Sequence, residues 1–263
     1  MKYCVNFSKS FNYLNQVDEL RIVINKNTKQ NPLPFMAEYS DKRIIICAEE
    51  MSDYLVKCLA GARKEHPEFN FTVAINLKDR MFIENLQKNN IPFFFNTKVT
   101  DWDTLQGFLS FGVSDMYIAE NLGFELDKVA AILHKSGVQV RVFPNVAQSA
   151  YDNTPSLKQF FIRPDDISTY EPFVDVCEFY GNKNQISTYY KIYAIDKKWF
   201  GPLKEIIIGF NHDLDSRFVL PPFAQRRIKC GKKCFKGEPC NICDRIASAA
   251  KTLENNGLLV KIP

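Results

Sequence analysis

The sequence predicts an α/β fold, a TIM-like (β/α)8 barrel with a C-terminal Cys4 metal-binding extension, and three features lead there. Short β-branched or aromatic runs recur at fairly even spacing. They are apolar on consecutive positions, as in Ile44-Ile45-Ile46, Phe93-Phe94-Phe95 and Ile206-Ile207-Ile208, which is how strands covered on both faces of a parallel sheet read. Helical stripes separate many of these runs. No Gly-rich G-x-G-x-x-G turn follows an early strand, so a dinucleotide-binding fold has no support, and an open doubly wound sheet is the second choice.

In chain order, the first twenty residues predict a strand and a helical turn, and strands follow at 21–25, 43–48, 70–76, 92–96, 115–119, 138–143, 157–162, 174–179 and 205–210. Residues 27–41 contain Pro32 and Pro34 without a helical stripe and read as a loop. The segment 51–64 places Leu55, Leu59 and Ala62 on one helical face, and 124–135 does the same with Leu126, Val129, Ala130 and Leu133. Asp101 and Asp103 put acids at the positive end of a helix over 104–111, which Gly112 closes. Past Phe210 the pattern changes: 213–227 is irregular with Pro221-Pro222, a cysteine cluster follows, and a last helix over 244–255 ends at Gly257. The expected organisation is a barrel domain over 1–212 and a Cys4 segment with its helix over 213–263.

Composition narrows the classes of function. With 263 residues, 46% hydrophobic and 24% charged, the chain is ordinary globular material, which excludes disorder, collagen and coiled coil as descriptions of the whole. No stretch reaches the roughly 18 consecutive apolar residues of a membrane span, and the opening MKYCVNFSKSF has no secretory core, so a soluble, cytoplasmic location is expected. A net charge of +4, from 34 basic and 30 acidic residues, is too mild for broad nonspecific nucleic-acid binding.

In a reducing compartment, thiols serve metals or catalysis more often than disulfides. Cys230, Cys234, Cys240 and Cys243 follow a C-x3-C-x5-C-x2-C spacing in RIKCGKKCFKGEPCNICDRI, so one ion can draw all four. Zn2+ accepts four sulfurs tetrahedrally, and a [4Fe-4S] cluster is the alternative; unligated or disulfide-paired cysteines are the plainer reading. Lys229, Lys232, Lys233 and Lys236 would offset the charge of four thiolates, and Gly231 and Gly237 free the backbone for tight turns. Cys4, Cys47, Cys58 and Cys177 stand alone in strand or helix patterns and read as small buried hydrophobes.

In a barrel the residues just past each strand form the active rim, and here they are notably polar, with Glu49, Asn96, Lys98, Glu120 and Asn145 among them. Such a rim suits a polar or anionic substrate, although Asn and Asp also favour turns. Three residues carry most weight. Glu178, flanked by apolar residues in VDVCEFYG, is expected to be desolvated and raised in pKa, as a general acid or base requires. Arg163 in RPDD is a clamp for carboxylate or phosphate, with Asp165 equally suited to cap a helix. His212 in GFNHDLD is the best proton-transfer histidine, because His66 and His134 lie in helix patterns and read as surface residues.

Residues 103–145, DTLQGFLSFGVSDMYIAENLGFELDKVAAILHKSGVQVRVFPN, resemble the collagenase-like peptidase family, whose members include proteins of tRNA and ubiquinone hydroxylation. The likeness lies in a helix, a glycine, an acid-then-tyrosine strand, and the helix, strand and Asn that follow. VDVCEFYG also resembles that family's Glu-containing strand, and the four late cysteines resemble its iron–sulfur ligands. The resemblance implies a barrel, a four-iron cluster and an RNA or quinone substrate, and it carries over only Glu178 and the four cysteines. The chain departs from the family in placing at least four strands before the tyrosine strand and in its cysteine spacing.

Two functions therefore compete at this stage. One is a metal-supported barrel enzyme on a polar or nucleic-acid substrate, with Glu178 and His212 in acid–base roles and Arg163 holding an anion. The other is a non-catalytic module that binds RNA through the basic stretch 226–236, or a protein partner, around a structural zinc site.

Overall fold

The computed structural model describes residues 1–25, 31–148, 156–210, 214–219, 222–231 and 240–256, so His212 and Cys234 lie outside the described residues. Strands β1 (Lys2–Asn6), β2 (Glu19–Ile24), β3 (Arg43–Ala48), β4 (Phe71–Ile75), β5 (Phe93–Phe95), β6 (Lys98–Val99), β7 (Asp115–Ile118), β8 (Gln139–Val142) and β9 (Val176–Glu178) form one sheet. Every pairing in it is parallel, in the order β5-β4-β3-β2-β1-β9-β8-β7-β6. The helices are α1 (Leu33–Glu38), α2 (Asp53–Glu65), α3 (Ile83–Lys88), α4 (Trp102–Ser110), α5 (Leu126–Lys135), α6 (Ile167–Tyr170), α7 (Lys183–Tyr190), α8 (Pro222–Ile228) and α9 (Ile242–Asn255). None of them is long and apolar enough to cross a membrane.

The sheet curls. Its edge strands β5 and β6 are consecutive in the chain, and Ser114 N, just before β7, donates to Phe93 O at 2.8 Å, drawing the two edges together. The apolar runs explain the strands: all of Phe71–Ile75, and Ile44, Ile45 and Ile46, are buried because helices cover one face while the curled sheet covers the other. Each Val, Ile or Phe among them contributes about 1.5–3 kcal/mol on burial. Local caps set the helix starts. Ser52 Oγ accepts from Leu55 N at 3.2 Å ahead of α2, and Asp101 Oδ1 accepts from Thr104 N at 2.8 Å ahead of α4. Gly112, at φ +68°, takes the left-handed turn that ends α4, as its sequence position predicts.

Two expected strands are absent. Residues 157–162 contain a 3-10 turn (Ser156–Lys158) and a single bridge from Phe160 to Gln148, and 205–210 follow another turn (Leu203–Glu205), with one bridge from Ile208 to Val146. Both runs are apolar because they are buried, not because they pair in a ladder: Leu157, Phe160, Phe161, Ile162, Ile206 and Ile207 are all buried. Their backbone groups find scattered partners instead, with Ile162 N donating to Pro144 O at 3.1 Å and Ile208 N to Asn145 O at 2.8 Å. The expected loop over 27–41 carries α1, which Pro32 and Pro34 start rather than forbid, since a proline is tolerated in the first turn.

The described part of the C-terminal segment is hydrogen-bonded to turns outside the sheet. Leu203 N donates to Leu214 O at 2.9 Å, Ser216 N to Gly201 O at 2.9 Å, and Gly231 N to Phe124 O at 2.8 Å.

Candidate functional site

Alternation along a strand sends every second side chain to the inside of the curl, and here those positions are charged. Glu19 and Arg21 on β2, Arg43 on β3, Asp115 and Tyr117 on β7, Arg141 on β8 and Glu178 on β9 meet across the interior. They form two connected groups. Nearer the amino ends, Arg43 donates to Asp115 at 2.7 and 2.9 Å, to Glu19 at 3.2 Å, to Gln139 at 2.7 Å and to Thr72 at 2.6 Å. Arg141 spans both acids, reaching Asp115 at 2.8 Å and Glu19 at 2.7 Å.

Nearer the carboxyl ends, Arg21 Nη1 donates to both Glu178 oxygens at 2.9 and 3.1 Å and to the Tyr117 hydroxyl, while its Nη2 donates to Asn96 Oδ1. Tyr117 in turn donates its hydroxyl proton to Glu178. Arg141 joins the two groups, lying 3.6 Å from Glu178. Three guanidiniums thus balance three carboxylates in the middle of the sheet, which is what makes burying them tolerable.

The electrostatics of Glu178 run opposite to the expectation of a raised pKa. Burial does push its carboxyl up, but Arg21 and then Arg141, with the hydrogen bonds from Tyr117 and Arg21, outweigh burial and hold it below the usual range. Glu178 is therefore a buried carboxylate kept ionised. Asp115 behaves the same way, burial being overcome by Arg141 and Arg43. Tyr117 is pushed well above its ordinary value by burial and by Glu178, which keeps the phenol protonated.

At the rim, Lys98 on β6 pairs in register with Tyr117 on β7. Its Nζ lies 5.9 Å from the centre of the Phe143 ring, and that ring stacks on Tyr117 at 4.8 Å. Partial burial lowers the Lys98 amine, with Glu120 opposing the shift. Past the end of β8, fully buried Asn145 holds the Tyr180 backbone from both sides, donating to its carbonyl at 2.7 Å and accepting from its N–H at 3.1 Å, while the Tyr180 ring stands exposed.

Arg163 is not available to a ligand. Its guanidinium is buried, paired with Asp166 through two bonds of 2.7 Å, and donates to Ser216 O at 3.0 Å and Val219 O at 3.2 Å. Those bonds fasten the 214–219 segment to the turn over Pro164–Asp166, so the expected anion clamp is a structural tie. Asp165, its neighbour, accepts from Ser216 Oγ at 3.1 Å. His66 is half-buried and His134 exposed, beside Glu68 and Asp175 respectively.

Of the four clustered cysteines, Cys230, Cys240 and Cys243 line one pocket with Phe124, Phe223, Arg226 and Arg227. Among the described residues no set of three or more metal-ligating side chains is arranged around a common point, and Cys234 falls outside them. Three of the four thiols thus share the lining of one pocket without gathering about a point. Of the isolated cysteines, Cys4, Cys47 and Cys177 are buried and Cys58 is half-buried.

Sequence reasoning passed over Arg21, Tyr117 and Arg141. A signal was there: Glu19-x-Arg21 and Gln139-x-Arg141 place polar residues two apart inside otherwise apolar strands, the period of a single face.

No family model matches this chain, and no curated protein does. Among solved structures it is similar to the 4-hydroxy-2-oxoglutarate aldolase/2-deydro-3-deoxyphosphogluconate aldolase from TTHB1. That likeness has a TM-score of 0.38 and 15% identity, over 73% of this chain and 90% of that one.

Proposed function

We propose that this chain is a (β/α)8 barrel enzyme that works at the carboxyl ends of its strands on a small polar or anionic substrate. Supporting a closed eight-membered ring, β5 and β6 are one strand interrupted at Asn96-Thr97, and the backbone bond from Ser114 to Phe93 joins the edges. The observation that carries the functional reading is the Arg21–Tyr117–Glu178 group, a buried carboxylate kept ionised at the last residue of β9, with a protonated phenol bonded to it. A carboxylate held that way stays charged and fixes the orientation of the Tyr117 phenol, giving the strand ends preorganised hydrogen-bonding groups. Lys98 and the exposed Tyr180 ring supply a cation and a flat surface at the rim for the substrate itself.

In the same reading Cys230, Cys234, Cys240 and Cys243 hold Zn2+, with a [4Fe-4S] cluster as the alternative that the collagenase-like peptidase resemblance favours. When bound, zinc supplies a clamp between the end of α8 and the start of α9. The barrel chemistry derived above uses only side chains of the sheet.

Calorimetric titration of the full chain with inorganic phosphate, pyruvate and adenosine monophosphate tests the substrate class. Binding by at least one of them is expected, and Lys98→Met should weaken it by about tenfold, the loss of one charge-assisted bond. Wild-type protein that binds none of the three, or a Lys98→Met chain that binds as tightly, would overturn the proposal.

A further inference from the structure

We propose that Lys98 is a nucleophile: its amine condenses with the carbonyl carbon of a small polar aldehyde or ketone at the mouth of the sheet, forming an imine and releasing water. This deepens the reading of the strand ends as the substrate site, and it rests on that reading.

The geometry sets Lys98 apart from the other cations that face the interior of the curl. Arg21 lies against Glu178, and Arg43 and Arg141 against Glu19 and Asp115. Lys98 has no such partner. It pairs in register with Tyr117, and residues in register on neighbouring strands send their side chains to the same face, so Lys98 stands on the interior side at the carboxyl end. Among the described residues its amine makes no ion pair and no hydrogen bond. What it meets is the Phe143 ring, 5.9 Å away, which is backed in turn by Tyr117 with 12° between the ring planes. The nearest interior carboxylate, Glu178, is already held by Arg21 and Tyr117.

An ammonium against an aromatic wall, with no carboxylate beside it, loses hydration that nothing replaces, and the neutral amine gains ground. Burial accordingly lowers the Lys98 amine, with Glu120 the acid that opposes the shift. A neutral amine carries the lone pair that attacks a carbonyl, whereas the three arginines stay protonated. Access is open. Val23, two positions past Arg21 on the same face of β2, is 58% exposed, and Lys98 is itself exposed. Glu120, two residues past β7, holds a left-handed backbone at φ +49°, a conformation that a residue other than glycine adopts at a cost and that clusters at functional sites.

In the step itself Glu120 takes one proton from the ammonium. The freed lone pair forms the C–N bond while the carbonyl π pair moves to oxygen, and a second nitrogen proton passes to that oxygen. The hydroxyl then leaves as water with the proton that Glu120 returns. Ammonium and carbonyl thus give protonated imine and water, with nothing oxidised or reduced and the positive charge kept.

The test incubates the full chain with pyruvate, dihydroxyacetone or glycolaldehyde and sodium cyanoborohydride, which reduces an imine to a stable secondary amine. Peptide mass spectrometry locates the adduct. At least one of the three should give about one adduct per chain at Lys98, with the exposed Lys57 of α2 carrying less than about a tenth as much. Phe143→Ala, which opens the amine to water, should bring the Lys98 adduct down to the Lys57 level. Labelling of Lys98 no greater than that of Lys57 with all three compounds overturns the inference, as does a folded Phe143→Ala chain whose Lys98 is labelled as fully as wild type. If Phe143→Ala does not fold, the comparison of Lys98 with Lys57 in wild type decides alone. A wild type that binds phosphate, pyruvate or adenosine monophosphate by calorimetry yet forms no Lys98 adduct overturns the imine and leaves the substrate site standing. One that neither binds nor reacts overturns both.

Discussion

Replacing Arg141 by methionine removes the one guanidinium that touches all three interior carboxylates, Glu19 at 2.7 Å, Asp115 at 2.8 Å and Glu178 at 3.6 Å. Methionine fills comparable volume, so the loss is chiefly electrostatic. Removing one partner of a buried pair costs about 3–5 kcal/mol, because the acids left behind stay buried. For a chain of this size that lowers the thermal midpoint by about 6–20 °C at pH 7. The pH dependence gives the sharper check. Glu178 and Asp115 have folded values below their ordinary ones, so their contribution is fully present above the unfolded value, near 4, and is lost as pH falls through the folded value. Without Arg141 the same carboxyls lose part of what holds them down. The gap between variant and wild type should therefore be widest at neutral pH and should narrow as the acids protonate, below about pH 4. Differential scanning calorimetry from pH 3 to pH 8 measures it. A gap that stays constant across that range, or a fall of under about 2 °C at pH 7, would refute the balance of charges described for the interior.

Two further outcomes follow from the same contacts. Glu178→Gln leaves Arg21 without its carboxylate, so the midpoint should fall by an amount comparable to Arg141→Met, in contrast to the unchanged midpoint expected if the residue served catalysis alone; urea denaturation at pH 7 reads it. Arg163→Met should destabilise the chain by about 3–5 kcal/mol while leaving small-anion affinity at the rim unchanged, and a titration in which binding disappears with folding intact would return Arg163 to the site.

Strands β2 to β5 and β7 to β9 and the helices α2, α4, α5 and α9 were legible because each buries a run or stripe whose period matches its geometry, whereas β6, two residues long, offers no run to read. The runs at 157–162 and 205–210 misled for the same reason. Burial alone makes a segment apolar, and nothing local in Phe160-Phe161-Ile162 tells a ladder from an irregular stretch whose carbonyls bond to Tyr193 and Arg227. Glu178 was legible as a lone acid among apolar neighbours, but the sign of its pKa shift was not. That sign depends on Arg21 and Arg141, which lie 157 and 37 positions away, and no local window contains both. Arg163 illustrates the reverse error, since a guanidinium at a strand end looks the same in sequence whether it awaits an anion or already holds Asp166.

The placement of β1 has a consequence for how the chain reaches its final form. β1 lies between β2 and β9, and its partners on one side, Val176 to Glu178, are separated from it by most of the chain. During synthesis the early strands must wait, one flank of β1 unpaired, until the ninth has emerged from the ribosome. Such distant closure makes for slow folding, and in that interval the open flank is the place where a nascent copy would stick to its neighbours or require a chaperone.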